Sequence, residues 1–179
     1  PYYVYGGVQD NATFALPSFR GDARAILNDD TWELHWGDGM YIQIDPTDWR
    51  KVYTEAEGGS FRRYDALTYE SENARPNPEN IVNFADVMGP GVTDMSRFRF
   101  NWTSPLVMSP HDPQTLFLGG NHLFRTTDGG RSWWINSPDL STNDPVKTNR
   151  ESGGITRDVT GAESHSSITT VSHSPLNAD

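Results

Sequence analysis

The sequence contains no cysteine, and this absence removes disulfides, thiolate metal sites and cysteine nucleophiles together. No apolar run reaches the roughly 18 residues of a membrane-spanning helix, and no signal-peptide pattern is present. Cations are scarce as well: 14 Lys and Arg face 24 Asp and Glu, for a formal net charge of -10. Duplex nucleic acid and anionic membrane both require a cationic face, so neither is expected as a partner. Hydrophobic residues fill only 35% of the 179 positions. What replaces them is 16 Gly, 12 Pro and a set of 6 Trp, 7 Tyr and 8 Phe. Frequent turn residues with aromatic bulk favour many short strands, in an all-β sandwich, barrel or propeller, over a helical bundle.

An internal repeat narrows that choice. Residues 41–65 (YIQIDPTDWRKVYTEAEGGSFRRYD) resemble residues 105–130 (PLVMSPHDPQTLFLGGNHLFRTTDGG), and the pattern restarts at Ile168 (ITTVSHSPLNAD). The turn prolines Pro46, Pro110 and Pro175 lie 64 and 65 residues apart. Fixed periods of this kind mark repeat architectures, and a propeller blade needs about 40 to 50 residues. The surplus is assigned to polar insertions near 73–95 and 140–161.

Apolar alternation places strands at 106–109, 115–118, 122–126 and 132–136, and in the preceding unit at 40–44, 52–55 and 60–64. Near the start, Tyr2-Tyr3-Val4-Tyr5-Gly6-Gly7 matches the second strand and turn of a unit, as in Leu116-Phe117-Leu118-Gly119-Gly120. The expected organisation is therefore a segment of a β-propeller made of four-stranded antiparallel blades, part of a longer chain. Residues 1–36 form the end of one blade, 37–100 and 101–164 form two full blades, and 165–179 open another. Repeat units bury their cores only against neighbours, so further blades or a partner subunit are expected to cover the end blades.

Residues Thr126-Thr127-Asp128-Gly129-Gly130-Arg131-Ser132-Trp133 fit the Asp-box pattern S/T-x-D-x-G-x-S/T-W at every fixed position. Asp128 is positioned to accept backbone N–H groups of its own hairpin, Gly130 to take positive φ, and Trp133 to pack between blades. Thr126, Asp128, Gly130, Ser132 and Trp133 are accordingly read as structural. The equivalent stretch Arg63 to Thr68 has no matching Gly and Trp, so that hairpin is expected to be built differently.

With YYVYGGVQDN, WGDGMYIQIDPTD and SITTVSHSPLNAD, this motif makes the chain resemble the Asp-box (BNR-repeat) β-propellers. That group includes sortilin-type receptor domains, sialidases, xyloglucanase-like hydrolases and photosystem assembly factors. The strongest similarity is to large bacterial sortilin-like or "glycosyl hydrolase"-labelled propellers. The resemblance implies an exported, extracytoplasmic protein whose surface binds proteins or glycans, and it does not imply a reaction.

Loops leading into first strands crowd the channel of a propeller. This points to Trp36 and Asp38 before one unit, Asn101 and Trp102 before the next, and His165 before the last as binding candidates. A glycosidase would need paired carboxyl groups, for which Asp38 and Glu163 are the candidates. A sialidase would need converging arginines, to be drawn from Arg62, Arg63, Arg97, Arg99 and Arg125. His111, Asp112 and His122 lack the spacing of a zinc site, so neither metal nor cofactor is expected. Sequons at Asn11 and Asn101 are possible glycan acceptors. The favoured expectation is a non-catalytic binding segment; the alternatives are a glycoside hydrolase and an accessory subunit of a larger assembly.

Overall fold

In the computed structural model, which describes residues 2–22, 25–148 and 164–178, short apolar runs separated by Gly, Pro and Asp turns become strands. The first sheet comprises β1 (Tyr3–Gly7), β2 (Thr13–Pro17) and β3 (Trp32–His35). The second comprises β4 (Gly39–Ile44), β5 (Lys51–Ala56), β6 (Ser60–Asp65) and β7 (Glu70–Asn73). The third comprises β8 (Leu106–Met108), β9 (Leu116–Gly119), β10 (Leu123–Thr126) and β11 (Trp134–Ile135). Every sheet is an antiparallel meander with chain neighbours paired. The protein is all-β, with one five-residue α-helix, α1 (Phe84–Met88), among the described residues. None of their helices is long and apolar enough to cross a membrane.

The register follows the expected alternation. In the third sheet Leu106 faces Leu118 and Phe124 faces Leu118 from the other side, and all three are buried. In the second, Val52 pairs with Tyr64 and Glu55 with Phe61. One apolar cluster gathers Ala15 and Leu34 of the first sheet with Val52 and Tyr64 of the second. A larger cluster joins the second and third sheets through Tyr53, Phe61, Leu106, Phe124 and Trp133. Polar cross-links follow the same junction. Gln43 Nε2 donates to the Leu106 carbonyl at 3.2 Å, and Gln114 Nε2 donates to Asp45 Oδ2 at 3.2 Å.

The β10–β11 hairpin is closed by side chains. Asp128 Oδ1 accepts from the Ser132 N–H (2.9 Å) and the Thr126 hydroxyl (2.8 Å), and Oδ2 accepts from the Ser132 hydroxyl (2.6 Å). Partial burial opposes ionisation of Asp128, and the bonds from Ser132 and Thr126 outweigh it and hold the carboxyl below its usual range. Thr126 Oγ1 in turn accepts from the Gly130 N–H at 2.9 Å. Gly130 has φ of 87°, and a Cβ there would stand 2.7 Å from the Phe61 ring. Both the left-handed conformation and the close approach to the second sheet require glycine. Trp133 is completely buried, meets Phe61 edge-on at 5.4 Å and donates from Nε1 to the Ala74 carbonyl at 2.8 Å.

Three expectations change. The insertion near 73–95 is more than a polar loop, because Ile81 and Phe84 are buried in the larger cluster. Its backbone lies along β11: Val82 N–H donates to the Trp133 carbonyl and Trp133 N–H to the Asn80 carbonyl, each at 2.8 Å. Two apolar anchors and Asn83, which exchanges hydrogen bonds with Ile135, fasten a segment whose Pro, Gly and Asn content signals only irregularity. Strand β7 (ESEN) has no apolar residue to announce it and is held by pairing to β6. Residues 165–178 form no ladder. That segment lies over the third sheet instead, with the His173 ring 5.1 Å from Phe117 and His111 Nε2 bonded to the Ser174 carbonyl at 2.8 Å. The second insertion, near 140–161, is described only as far as residue 148.

Candidate functional site

The turn from β3 into β4 brings Trp36 and Asp38 to one edge of the sheets. Gly37, with φ of 101°, allows this turn, and a Cβ on it would collide with the Glu57 carboxylate at 2.6 Å. Asp38 is 7% exposed. Its Oδ1 accepts from the Asp10 N–H at 2.6 Å, and its own N–H donates to Glu57 Oε2 at 2.7 Å. Trp36 is 80% exposed beside them. With Asp10, Phe14 and Glu33 these residues line a cavity of about 450 Å³.

The β5–β6 turn carries this edge onward. Gly58 N–H donates to the Trp102 carbonyl at 3.1 Å, and Asn101 Oδ1 accepts from the N–H groups of Trp102 (3.0 Å) and Ser164 (3.2 Å). The loops at 36–38, 101–102 and 164–165 are thus linked in series through Glu57 and Gly58. Neither of these two was singled out in the sequence, because both lie in a turn after a second strand. His165 is half-buried and makes no hydrogen bond among the described residues. Trp102 Nε1 is buried without a partner among the described residues. Asn11 is exposed, whereas the Asn101 carboxamide is engaged in the link just described.

Beneath that link sits Glu55, wholly buried on β5. The β4–β5 ladder slips between Gly39 and Ile42, and backbone N–H groups of Ser104, Tyr41 and Gly59 point to the Glu55 carboxyl, Ser104 at 3.1 Å from Oε1. Oε2 has no partner. Burial dominates these bonds and pushes the carboxyl up to about 8, so Glu55 carries a proton at neutral pH. On the opposite face of the second sheet, at its junction with the first, His35 is held by the hydroxyls of Thr54 (3.0 Å) and Ser60 (3.1 Å). Burial, with the Arg62 charge, lowers it to about 4.

The paired-carboxylate expectation meets a different partner for Asp38. Glu163 lies outside the described residues, and the acid that touches the Asp38 backbone is Glu57. The arginines divide. Arg62 donates to Ser71 and Arg63 pairs with Glu72, both along β6–β7, while Arg125 faces a separate groove with Phe117 and His173. Arg97 and Arg99 converge with Arg75, which was not among the expected set, around a cavity of about 600 Å³ that Gly58 and Ser164 also line. His122 Nδ1 bonds the Ser137 carbonyl, and no group of three His, Asp or Glu suited to a metal ion occurs among the described residues. No protein-family model matches the chain, and no curated protein sequence matches it.

Proposed function

We propose that this chain is a segment of a β-propeller, its three sheets set radially as blades, in an exported protein that binds a protein or glycan ligand without transforming it. The observation that carries the reading is the hydrogen-bonded series from Asp38 through Glu57, Gly58, Trp102 and Asn101 to Ser164. It gathers the three predicted loops on one edge and leaves the Trp36 indole open to solvent. An exposed indole beside polar groups is the usual make-up of a recognition surface. The indole of Trp133, set between the second and third sheets, supports the radial arrangement.

The carboxylates favour binding over hydrolysis. Asp38 and Glu57 each accept a backbone N–H and so hold loop geometry. Glu55 is protonated as a general acid must be, but it is wholly buried away from any substrate. Glycan and peptide arrays probed with the intact native polypeptide test the proposal. Ligand capture that is lost in Trp36→Ala and kept in the exposed-surface control Trp49→Ala supports it. Turnover of a captured glycan that disappears in Asp38→Asn or Glu163→Gln overturns it in favour of a hydrolase.

A further inference from the structure

We propose that the cavity among Arg75, Arg97 and Arg99 is an oxyanion site that takes the phosphate or carboxylate group of a small ligand. The inference rests on the binding reading and names the chemistry of one end of that edge.

The chain has 14 cations against 24 acids, yet three arginines line this cavity and no described lining residue is acidic. Their states differ. Arg99 is already committed, with Nη2 on Asp139 Oδ2 at 2.7 Å and on the Ser141 hydroxyl at 3.0 Å, and Nε on the Ser166 carbonyl at 3.1 Å. Burial works against the Asp139 carboxylate, and donors from Ser141, Asn121 and Arg99 hold it at about 2, so this pair is a fixed wall. Arg75 is the reverse case. Its guanidinium stands 4.8 Å over the Phe100 ring, and among the described residues its buried Nε has no acceptor and it makes no ion pair. Burial alone lowers its affinity for a proton.

A buried charged donor without an acceptor costs more than a neutral one, and such groups in folded proteins call for a physical reason. A bound anion supplies one. Arg97 is exposed at the rim and forms no ion pair among the described contacts. The nearby acid Asp94 is engaged by the Ser96 N–H at 2.7 Å and the Ser96 hydroxyl. Two guanidinium groups without ion pairs among the described residues, one desolvated against an aromatic ring and one at the mouth, match the planar fork geometry that grips oxyanions. Hydroxyl-bearing Ser96, Thr148 and Ser164 complete a polar lining, and about 600 Å³ accommodates a small ligand.

Isothermal titration of the intact protein with inorganic phosphate, citrate and, as a neutral control, glucose tests the site. Saturable binding of phosphate or of citrate, weakened roughly tenfold or more by Arg97→Met and by Arg75→Met and unchanged by Arg125→Met, is expected. Which anion binds then identifies the source of the charge. Near-UV circular dichroism verifies folding, and Arg97→Met keeps the test valid if Arg75→Met fails to fold, since Arg97 is exposed. Glucose binding as well as the anions, equal binding in Arg97→Met, or no saturable binding at all overturns the proposal. Binding that emerges only after Glu151, Asp158 and Glu163 are all changed to Gln overturns it too, because the chain's own carboxylates then fill the site. The Trp36→Ala array experiment is independent of each of these outcomes, so failure here and failure of the binding reading are told apart.

Discussion

Two hairpins stand at the same place in successive sheets and are closed by different means. Strands β6 and β7 pair over four residues, from Arg62 with Asn73 to Asp65 with Glu70, and their turn is held by Asp65 Oδ1 accepting from Leu67 and Thr68 N–H. Strands β10 and β11 pair at only two positions. There the carboxylate of Asp128, the hydroxyls of Thr126 and Ser132 and the buried indole of Trp133 take over what the missing ladder would have done. The difference teaches that side-chain closure appears where the fourth strand is too short to hold itself. It also puts the cost of losing that closure on the junction with the second sheet, where the Trp133 ring meets Phe61.

The largest effect expected is from Trp133→Ala. It empties a fully buried site and strands the Ala74 carbonyl, and it should cost about 3 to 5 kcal/mol in urea unfolding. A loss below about 1 kcal/mol, within the range of ordinary surface changes, would break the comparison.

Next is the pH dependence of the two junctions that the second sheet makes, with Glu55 facing the third sheet and His35 set between the first and second. A carboxyl raised from 4.5 to about 8 keeps a proton that the unfolded chain has released, so Glu55 makes stability fall as pH rises through that window. His35, lowered from 6.5 to about 4, acts oppositely, and its contribution is lost as pH falls below 6.5. Between pH 6.5 and 8 only Glu55 acts of the two, and stability should drop by about 1 to 2 kcal/mol. Glu55→Gln should flatten that slope, and an unchanged slope would show that the carboxyl is not the titrating group.

Smaller effects compare the turns directly. Asp128→Ala removes an acceptor of three hydrogen bonds in a part-buried turn and should cost about 1 to 3 kcal/mol. Asp65→Ala leaves four paired positions in place and should cost about 0.5 to 1 kcal/mol. Equal costs would mean that ladder length does not decide how a hairpin is closed.

Much of the strand layout was legible because it is local. The alternation around Leu106 and Leu116 and the Thr126 to Trp133 turn each depend on residues within a few positions of one another, and each of the recurring turns at Pro46, Pro110 and Pro175 is itself a local signal. Strand β7 was not legible, since Glu70 to Asn73 carries no apolar signal and exists by pairing to β6. The insertion was half legible. Its polarity marked it as irregular, while the burial of Ile81 and Phe84 depends on a free edge at β11 that no local pattern reveals.

The candidate site divides in the same way. Trp36, Asp38, Asn101 and Trp102 were reachable because their loops lead into recognisable first strands. Glu57 and Arg75 were not, since the one matters through its contact with the Asp38 backbone and the other through a cavity shared with Arg97 and Arg99.

By itself the sequence determined an all-β chain, the positions of most turns and strands, and the hairpin built on Asp128, all set by interactions across a few neighbouring residues. The stacking of the sheets alone decided that Glu55 is protonated, that Trp133 bridges two sheets and that Arg75 faces a cavity with no acid in its described lining. Burial and the convergence of residues distant in the chain are properties of the packed assembly, and desolvation acts only once that packing exists.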